Sequence, residues 1–259
     1  NSTHPFLSSA KLMALDRGDD KVRPIAIGDT WRRLACSTLI RVFKQQVEER
    51  CLRARNLAFT TDGSAIIGRA AQLLLSTNPT WIDIESDLSS AFQRAAREDC
   101  ELELLDSDLD VFLPLVRTLY GESSSLFYDD FCVMLSEEGS QQGCPLGGLL
   151  FILSIASIAE GVALRFPGVT ILGFADDYRF LGPQQEAMDA AAEYRRLVIE
   201  AGHVDQTEKA WAFSFSQATI DAAKLHPLAL ITSPTGNKLR LHAAQLAQSI
   251  ASKTPFGGW

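Results

Sequence analysis

Hydrophobic spacing along this chain switches between two periods, and each switch marks the edge of an element. From Trp81 to Leu88, apolar Trp81, Ile82, Ile84 and Leu88 interleave with Asp83, Glu85 and Asp87. That alternation predicts a strand with its three acids on one face. Ser125 to Leu135 predicts a β-hairpin turning at Asp129-Asp130, and Val169–Phe174 with Tyr178–Leu181 predicts another around Ala175-Asp176-Asp177. Val22–Gly28 reads as extended, with Pro24 favouring an extended residue before it, and Lys209–Phe215 is a candidate strand. Helical spacing predicts a helix from about Trp31 to Arg53, capped by Asp29 or Thr30, with Leu34, Thr38, Ile40, Val42 and Val47 as its apolar positions. Further helices are predicted over Thr61–Ser76, Ser90–Leu105 and Val111–Tyr120. An apolar helix should start at Pro145 and run to Gly161, and an amphipathic one should span Gln184–Ala201, closed by Gly202. Helices mixed with antiparallel hairpins make an α+β fold.

Composition narrows this picture. With 259 residues, 46% of them hydrophobic, the chain can bury a sizeable core, and wholesale disorder is excluded. The five cysteines, at positions 36, 51, 100, 132 and 144, form no CxxC pair, which predicts free thiols in a reducing, intracellular compartment. Four scattered histidines give no zinc pattern. The apolar run Leu146–Ala159 is 14 residues. That falls short of the ~20 a membrane helix needs, so it reads as a buried helix and no membrane partner is expected. No leader pattern is visible, and the chain reads as a piece of a longer protein. The net charge of −8 argues at first against a nucleic-acid partner. Its distribution argues otherwise, because residues 1–60 hold 11 Lys+Arg against 6 Asp+Glu while the acidic excess lies beyond them. Phosphate contacts are expected in that basic part.

Asp-Asp pairs occur at 19–20, 129–130 and 176–177. The first sits in a polar stretch and reads as a loop. The other two lie between apolar runs. Carboxylates at strand ends and turns, stiffened by apolar flanks, can hold two hard cations that activate a hydroxyl and stabilise a leaving pyrophosphate. Asp87 and Asp176 both meet that description.

The order of motifs resembles the reverse transcriptase family. Asp87-Leu88-Ser89-Ser90-Ala91-Phe92 resembles its first catalytic motif, an Asp followed five residues later by an aromatic. Gln141-Gln142-Gly143-Cys144-Pro145-Leu146 through Phe151 resembles the next, and Phe174-Ala175-Asp176-Asp177 the third. Arg23-Pro24-Ile25 before a helix resembles the finger motif of non-LTR retrotransposon and group II intron enzymes. The resemblance implies a right-hand palm with an antiparallel sheet packed on helices. Residues 1–80 and 95–140 would be fingers, 81–94 and 141–215 palm, and 216–259 the palm end and start of a thumb connection, the thumb itself being largely absent. The implied activity is RNA-directed DNA polymerisation. Asp87, Asp176 and Asp177 would ligate two Mg2+ ions, with Mn2+ as a substitute. Arg23, Phe92, Gln142, Gly143 and Lys209 would bind the nucleotide, Phe92 by filling the volume of a 2′-hydroxyl. Implied partners are a primed RNA or DNA template, dNTPs and other domains of a parent polyprotein. Asp83 and Glu85 rival Asp87 by position, but only Asp87 has the aromatic five residues on. Asp129-Asp130 precedes the Gln-Gly segment and reads as a structural hairpin. A degenerate nucleic-acid-binding relative and an RNA-dependent RNA polymerase are the alternatives, and Phe92 opposes the second.

Overall fold

In a computed structural model that describes residues 4–16, 18, 22–205 and 211–226, the strands form two four-stranded sheets and one two-stranded pair, with helices packed around them. The chain begins with α1 (His4–Ser8) and the antiparallel strands β1 (Ala10–Asp16) and β2 (Val22–Gly28). It continues through α2 (Thr30–Val42), α3 (Lys44–Arg53) and α4 (Gly63–Thr77) to β3 (Trp81–Ser86) and the short β4 (Leu88–Ser89). Next come α5 (Arg97–Leu105), α6 (Leu113–Tyr120) and a hairpin of β5 (Ser124–Tyr128) and β6 (Phe131–Ser136). Then α7 (Gly147–Ser154) and α8 (Ala156–Arg165) lead to a second hairpin, β7 (Thr170–Phe174) and β8 (Asp177–Pro183). The described chain finishes with α9 (Gln184–Glu200), β9 (Val204–Asp205), β10 (Trp211–Phe213) and α10 (Gln217–Ala223).

The first sheet has the order β2-β1-β5-β6 and the second β10-β3-β8-β7, the second being antiparallel throughout. Strand alternation gives the second sheet two faces. Ile82, Ile84, Tyr178 and Phe180 lie buried in the main core, where Tyr178 and Phe180 pack on Tyr194 of α9. Leu181 and Phe213 pack on Ala71 and Leu75 of α4. The same face carries the acids of β3. Asp129-Asp130 turns a hairpin of the first sheet, while Asp176-Asp177 turns one of the second.

Three predicted helices are broken, each at an identifiable residue. The Trp31–Arg53 helix divides at Phe43, whose ring packs edge-on against Phe112. Its predicted apolar positions hold only in part: Val47 is buried and Ile40 packs on the core, but Leu34 and Val42 are 54% and 66% exposed, while Arg32 and Cys36 are buried. Arg32 tolerates burial because its guanidinium donates to the Ser8 carbonyl (2.9 Å) and the Tyr120 hydroxyl (3.3 Å). Asp29 is the N-cap, accepting from the Trp31 and Arg32 amides.

The Ser90–Leu105 helix is replaced at its start by a left-handed Ser90 and a 3-10 turn over Phe92–Arg94. The Phe92 carbonyl is taken by the Ser140 amide at 2.7 Å, which removes it from a regular helical ladder. The apolar helix begins at Gly147 rather than Pro145 and bends by 45° at Ile155, where the Ser154 hydroxyl donates back to Phe151. No single helix among the described residues is long and apolar enough to cross a membrane, and the side chains of α7 lie inside the core. All five cysteines are free thiols.

Candidate active site

Strand register brings the acidic candidates together. β3 and β8 pair antiparallel, from Trp81 opposite Pro183 to Ser86 opposite Tyr178. Asp87 follows Ser86, and Asp177 precedes Tyr178 as the first residue of β8. On the other side, Phe174 of β7 pairs with Asp177, which leaves Ala175 and Asp176 as the hairpin tip. All three aspartates therefore stand at one end of adjacent strands.

The tip is held by a residue that no sequence pattern singled out. Ala175 is left-handed, with φ of 53°. That costs a residue with a side chain about 1–2 kcal/mol. Asn56, fully buried, fixes it from both sides: Nδ2 donates to the Ala175 carbonyl (2.9 Å) and Oδ1 accepts from the Ala175 amide (3.1 Å). Asn56 Nδ2 also donates to the Tyr178 hydroxyl, which in turn donates to the Ala54 carbonyl. The backbone joins the same clamp, because Leu57 donates to Gly173 and Gly173 to Arg55, both at 2.7 Å. Only glycine fits at 173, since a Cβ there would lie 2.7 Å from the Tyr178 ring and 2.9 Å from Asn56.

Electrostatics separate the two acids of β3. Asp83 is fully buried and bound by the Arg179 guanidinium, which also lies 5.3 Å from the centre of the Trp211 ring. Burial raises its pKa, and Arg179 opposes the rise. Its carboxylate is committed to this ion pair. Glu85 is pushed up to about 7, by burial first and then by Asp177, with Asp83 and Asp87 adding to the effect and Arg179 opposing it. Glu85 thus registers the charge concentrated beside it. Among the described residues no three His, Cys, Asp or Glu side chains converge as a complete metal cage. That donor set still fits Mg2+, which is normally held by one or two carboxylates together with substrate phosphates.

The nucleotide-binding candidates form a second group. Arg23 lies half-buried on β2, opposite Leu15. Three residues along, the Ala26 amide donates to the Gln142 carbonyl at 2.9 Å. Gly143 follows with φ of 127°, and a Cβ there would lie 2.6 Å from the Ala26 carbonyl oxygen. The Gln142-Gly143 turn therefore rests on the strand that carries Arg23, and its glycine permits the approach. Phe92, half-buried, stacks on Phe151 at 5.5 Å, and Phe151 meets His203 edge-on at 5.9 Å. Lys209, with Gln206-Thr207-Glu208 before it, lies outside the described residues, as does Asp19-Asp20.

Cys144 ends the Gln-Gly segment inside a cluster that sequence reasoning missed. Its Sγ lies 4.0 Å from that of Cys36, with Arg32 and Tyr120 close by. The Cys36 thiol and the Arg32 charge hold the Cys144 pKa down against the effect of burial. The four residues are scattered between positions 32 and 144, and no spacing links them.

No protein-family model and no curated protein matches the sequence. Solved structures do. Apo telomerase from Candida tropicalis, truncated from its C-terminal domain, superposes with a TM-score of 0.60 at 12% identity over 80% of this chain and 50% of that one. The telomerase of the same organism in complex with a TWJ fragment of telomeric RNA gives 0.60 at 11% identity over 80% and 41%. The Candida albicans telomerase in complex with such a fragment gives 0.56 at 10% over 82% and 43%. The chain spans half or less of the length of these structures. At this identity the likeness shows the fold alone: a polymerase palm-like arrangement of sheets packed on helices.

Proposed function

We propose that this chain is the fingers-and-palm part of an RNA-directed DNA polymerase, of the non-LTR retrotransposon and group II intron type. One observation carries the reading: on a fold shared with telomerase, β3 and the β7–β8 hairpin bring Asp87, Asp176 and Asp177 to one end of adjacent strands. Fingers at 1–80 and 95–140 and palm at 81–94 and 141–215 agree with where each sheet draws its strands. Residues 216–259 would form the palm end and lead to a thumb.

Two Mg2+ ions, when bound, would lower the pKa of the primer 3′-hydroxyl and neutralise the departing pyrophosphate. Asp87 and Asp176 would hold them, with Asp177 helping to position the site. Asp83–Arg179 supports β3 from beneath, and Asn56 fixes the aim of the Asp176 turn. Arg23 would contact the triphosphate, because a planar guanidinium suits phosphate oxygens. Gln142-Gly143 would lie against the incoming nucleotide. Phe92, supported from behind by Phe151, would fill the space of a 2′-hydroxyl and so favour dNTPs over ribonucleotides. Lys209 would approach the leaving pyrophosphate. The +5 balance of residues 1–60 provides charge for a primed RNA or DNA template. Free thiols agree with a reducing compartment.

Primer extension on an RNA template tests this. Asp87→Asn and Asp176→Asn should each lower dNTP incorporation by at least about 100-fold, the scale of losing a charge-stabilising group at a reacting centre. An Asp176→Asn protein that extends primers normally would remove that residue from the mechanism. Template binding without any extension in the unaltered chain would favour a degenerate nucleic-acid-binding module.

A further inference from the structure

Strand β6 borders the first sheet, paired with β5 on one side and with no described strand on the other. Alternate residues of such an edge turn their N–H and C=O groups outward, ready to pair with another chain. Proteins ordinarily guard such edges with lysines, prolines, bulges or shortness. β6 has no lysine or proline, reading Phe-Cys-Val-Met-Leu-Ser over six residues. Phe131 is 76% exposed, and Val133, Met134 and Leu135 are each 51% exposed. Its one irregularity is an extra residue, Val133, where the pairing steps from Leu126–Met134 to Phe127–Cys132. An apolar edge exposed to this degree would be an aggregation hazard unless covered.

The ends of the strand indicate what covers it. Asp129 and Asp130 precede it and Glu137 and Glu138 follow it, all four exposed. A second copy is a poor occupant. Antiparallel self-pairing would set the Asp pair of each copy against the Glu pair of the other, and parallel pairing would set like against like. Either way acids meet acids, which destabilises a sheet. Nucleic acid is disfavoured for the same reason, because its phosphates would meet these carboxylates.

We propose that the β6 edge receives an extended apolar segment of a partner protein, flanked by Lys or Arg, as a fifth strand of the first sheet. The strand would gain its main-chain bonds from β6 and its orientation from the acidic ends.

Fluorescence anisotropy with the full chain tests this, using a labelled peptide of alternating Val and Thr with lysines at both ends. This peptide should bind saturably, and a version with glutamates at both ends at least about tenfold more weakly. Methylating the peptide's amide nitrogens at alternate positions should abolish binding with no change to the protein. Glu137→Lys with Glu138→Lys should shift preference toward the glutamate-flanked peptide. Equal binding of both peptides, or of neither, overturns the proposal, and so does full binding of the methylated peptide. Self-association lost on Phe131→Lys would make a second copy the occupant instead. Displacement of the peptide by single-stranded RNA would make it nucleic acid.

Discussion

At the residue scale, the second sheet shows how neighbours divide labour among carboxylates. Asp83, Glu85 and Asp87 fall on one predicted strand, and sequence alone separates them only by the aromatic that follows Asp87. In the fold, Asp83 is consumed by Arg179 and Glu85 is held near neutrality by burial and by Asp177. Phe92 was legible as an aromatic at a telling interval, but its support by Phe151 and His203 was not, because those partners are 59 and 111 residues away along the chain. Replacing Phe92 by Val should raise ribonucleotide incorporation relative to dNTP by about tenfold, the worth of roughly 1.4 kcal/mol of steric selection. Competing dNTP and NTP in single-nucleotide incorporation reads that ratio directly.

His203 yields a pH expectation of its own. Burial first, and then the charge of Arg94, lowers its pKa below the ordinary 6.5. Its Nδ1 has no hydrogen-bond partner among the described residues. The unfolded chain therefore takes up this proton more readily than the folded one. The stability it supports is complete above pH 6.5 and is lost as the pH falls from there toward the lowered folded value. His203→Phe keeps a ring against Phe151 and removes the titration. Urea unfolding should show its stability gaining on the wild-type chain between pH 7 and pH 5, while a constant difference would assign the imidazole no such role.

At the scale of elements, strands were read more securely than helices. The Trp81–Leu88 alternation and both hairpins matched to within a residue or two, because period two and an Asp-rich turn are local signals. Helix continuity is set by tertiary competition instead. Ser140 takes the Phe92 carbonyl and Phe43 turns toward Phe112, and neither partner is visible in the local spacing. Asn56 belongs at this scale, since it joins the segment before α4 to the β7–β8 turn. Asn56→Ala leaves the Ala175 amide and carbonyl without their clamp. It should cost about 1–3 kcal/mol in denaturant unfolding, the price of buried groups left unpaired. If the turn must be held for chemistry, single-nucleotide turnover should fall while primer–template affinity is unchanged. A fall in affinity alone would refute that positioning role.

At the scale of the whole molecule, the fold places an acidic strand end in the second sheet, while the Lys and Arg residues of the N-terminal part lie mainly on α2 and α3. The net −8 therefore misleads only when averaged over the chain. Motif order separates Asp176-Asp177 from Asp129-Asp130, and the two pairs turn hairpins of different sheets. What order could not provide was the register that brings Asp87 to the β7–β8 turn, because pairing across 90 residues leaves no local trace. We propose that these carboxylates hold divalent metal once a nucleotide supplies the remaining oxygens. Electron paramagnetic resonance of Mn2+, titrated into the chain with primer–template and dNTP, measures this without requiring turnover. Mn2+ binding should depend on the nucleotide, be lost in Asp87→Asn and in Asp176→Asn, and be retained in Asp129→Asn. Mn2+ binding that is absent in the unaltered chain, or that survives both substitutions, would contradict it.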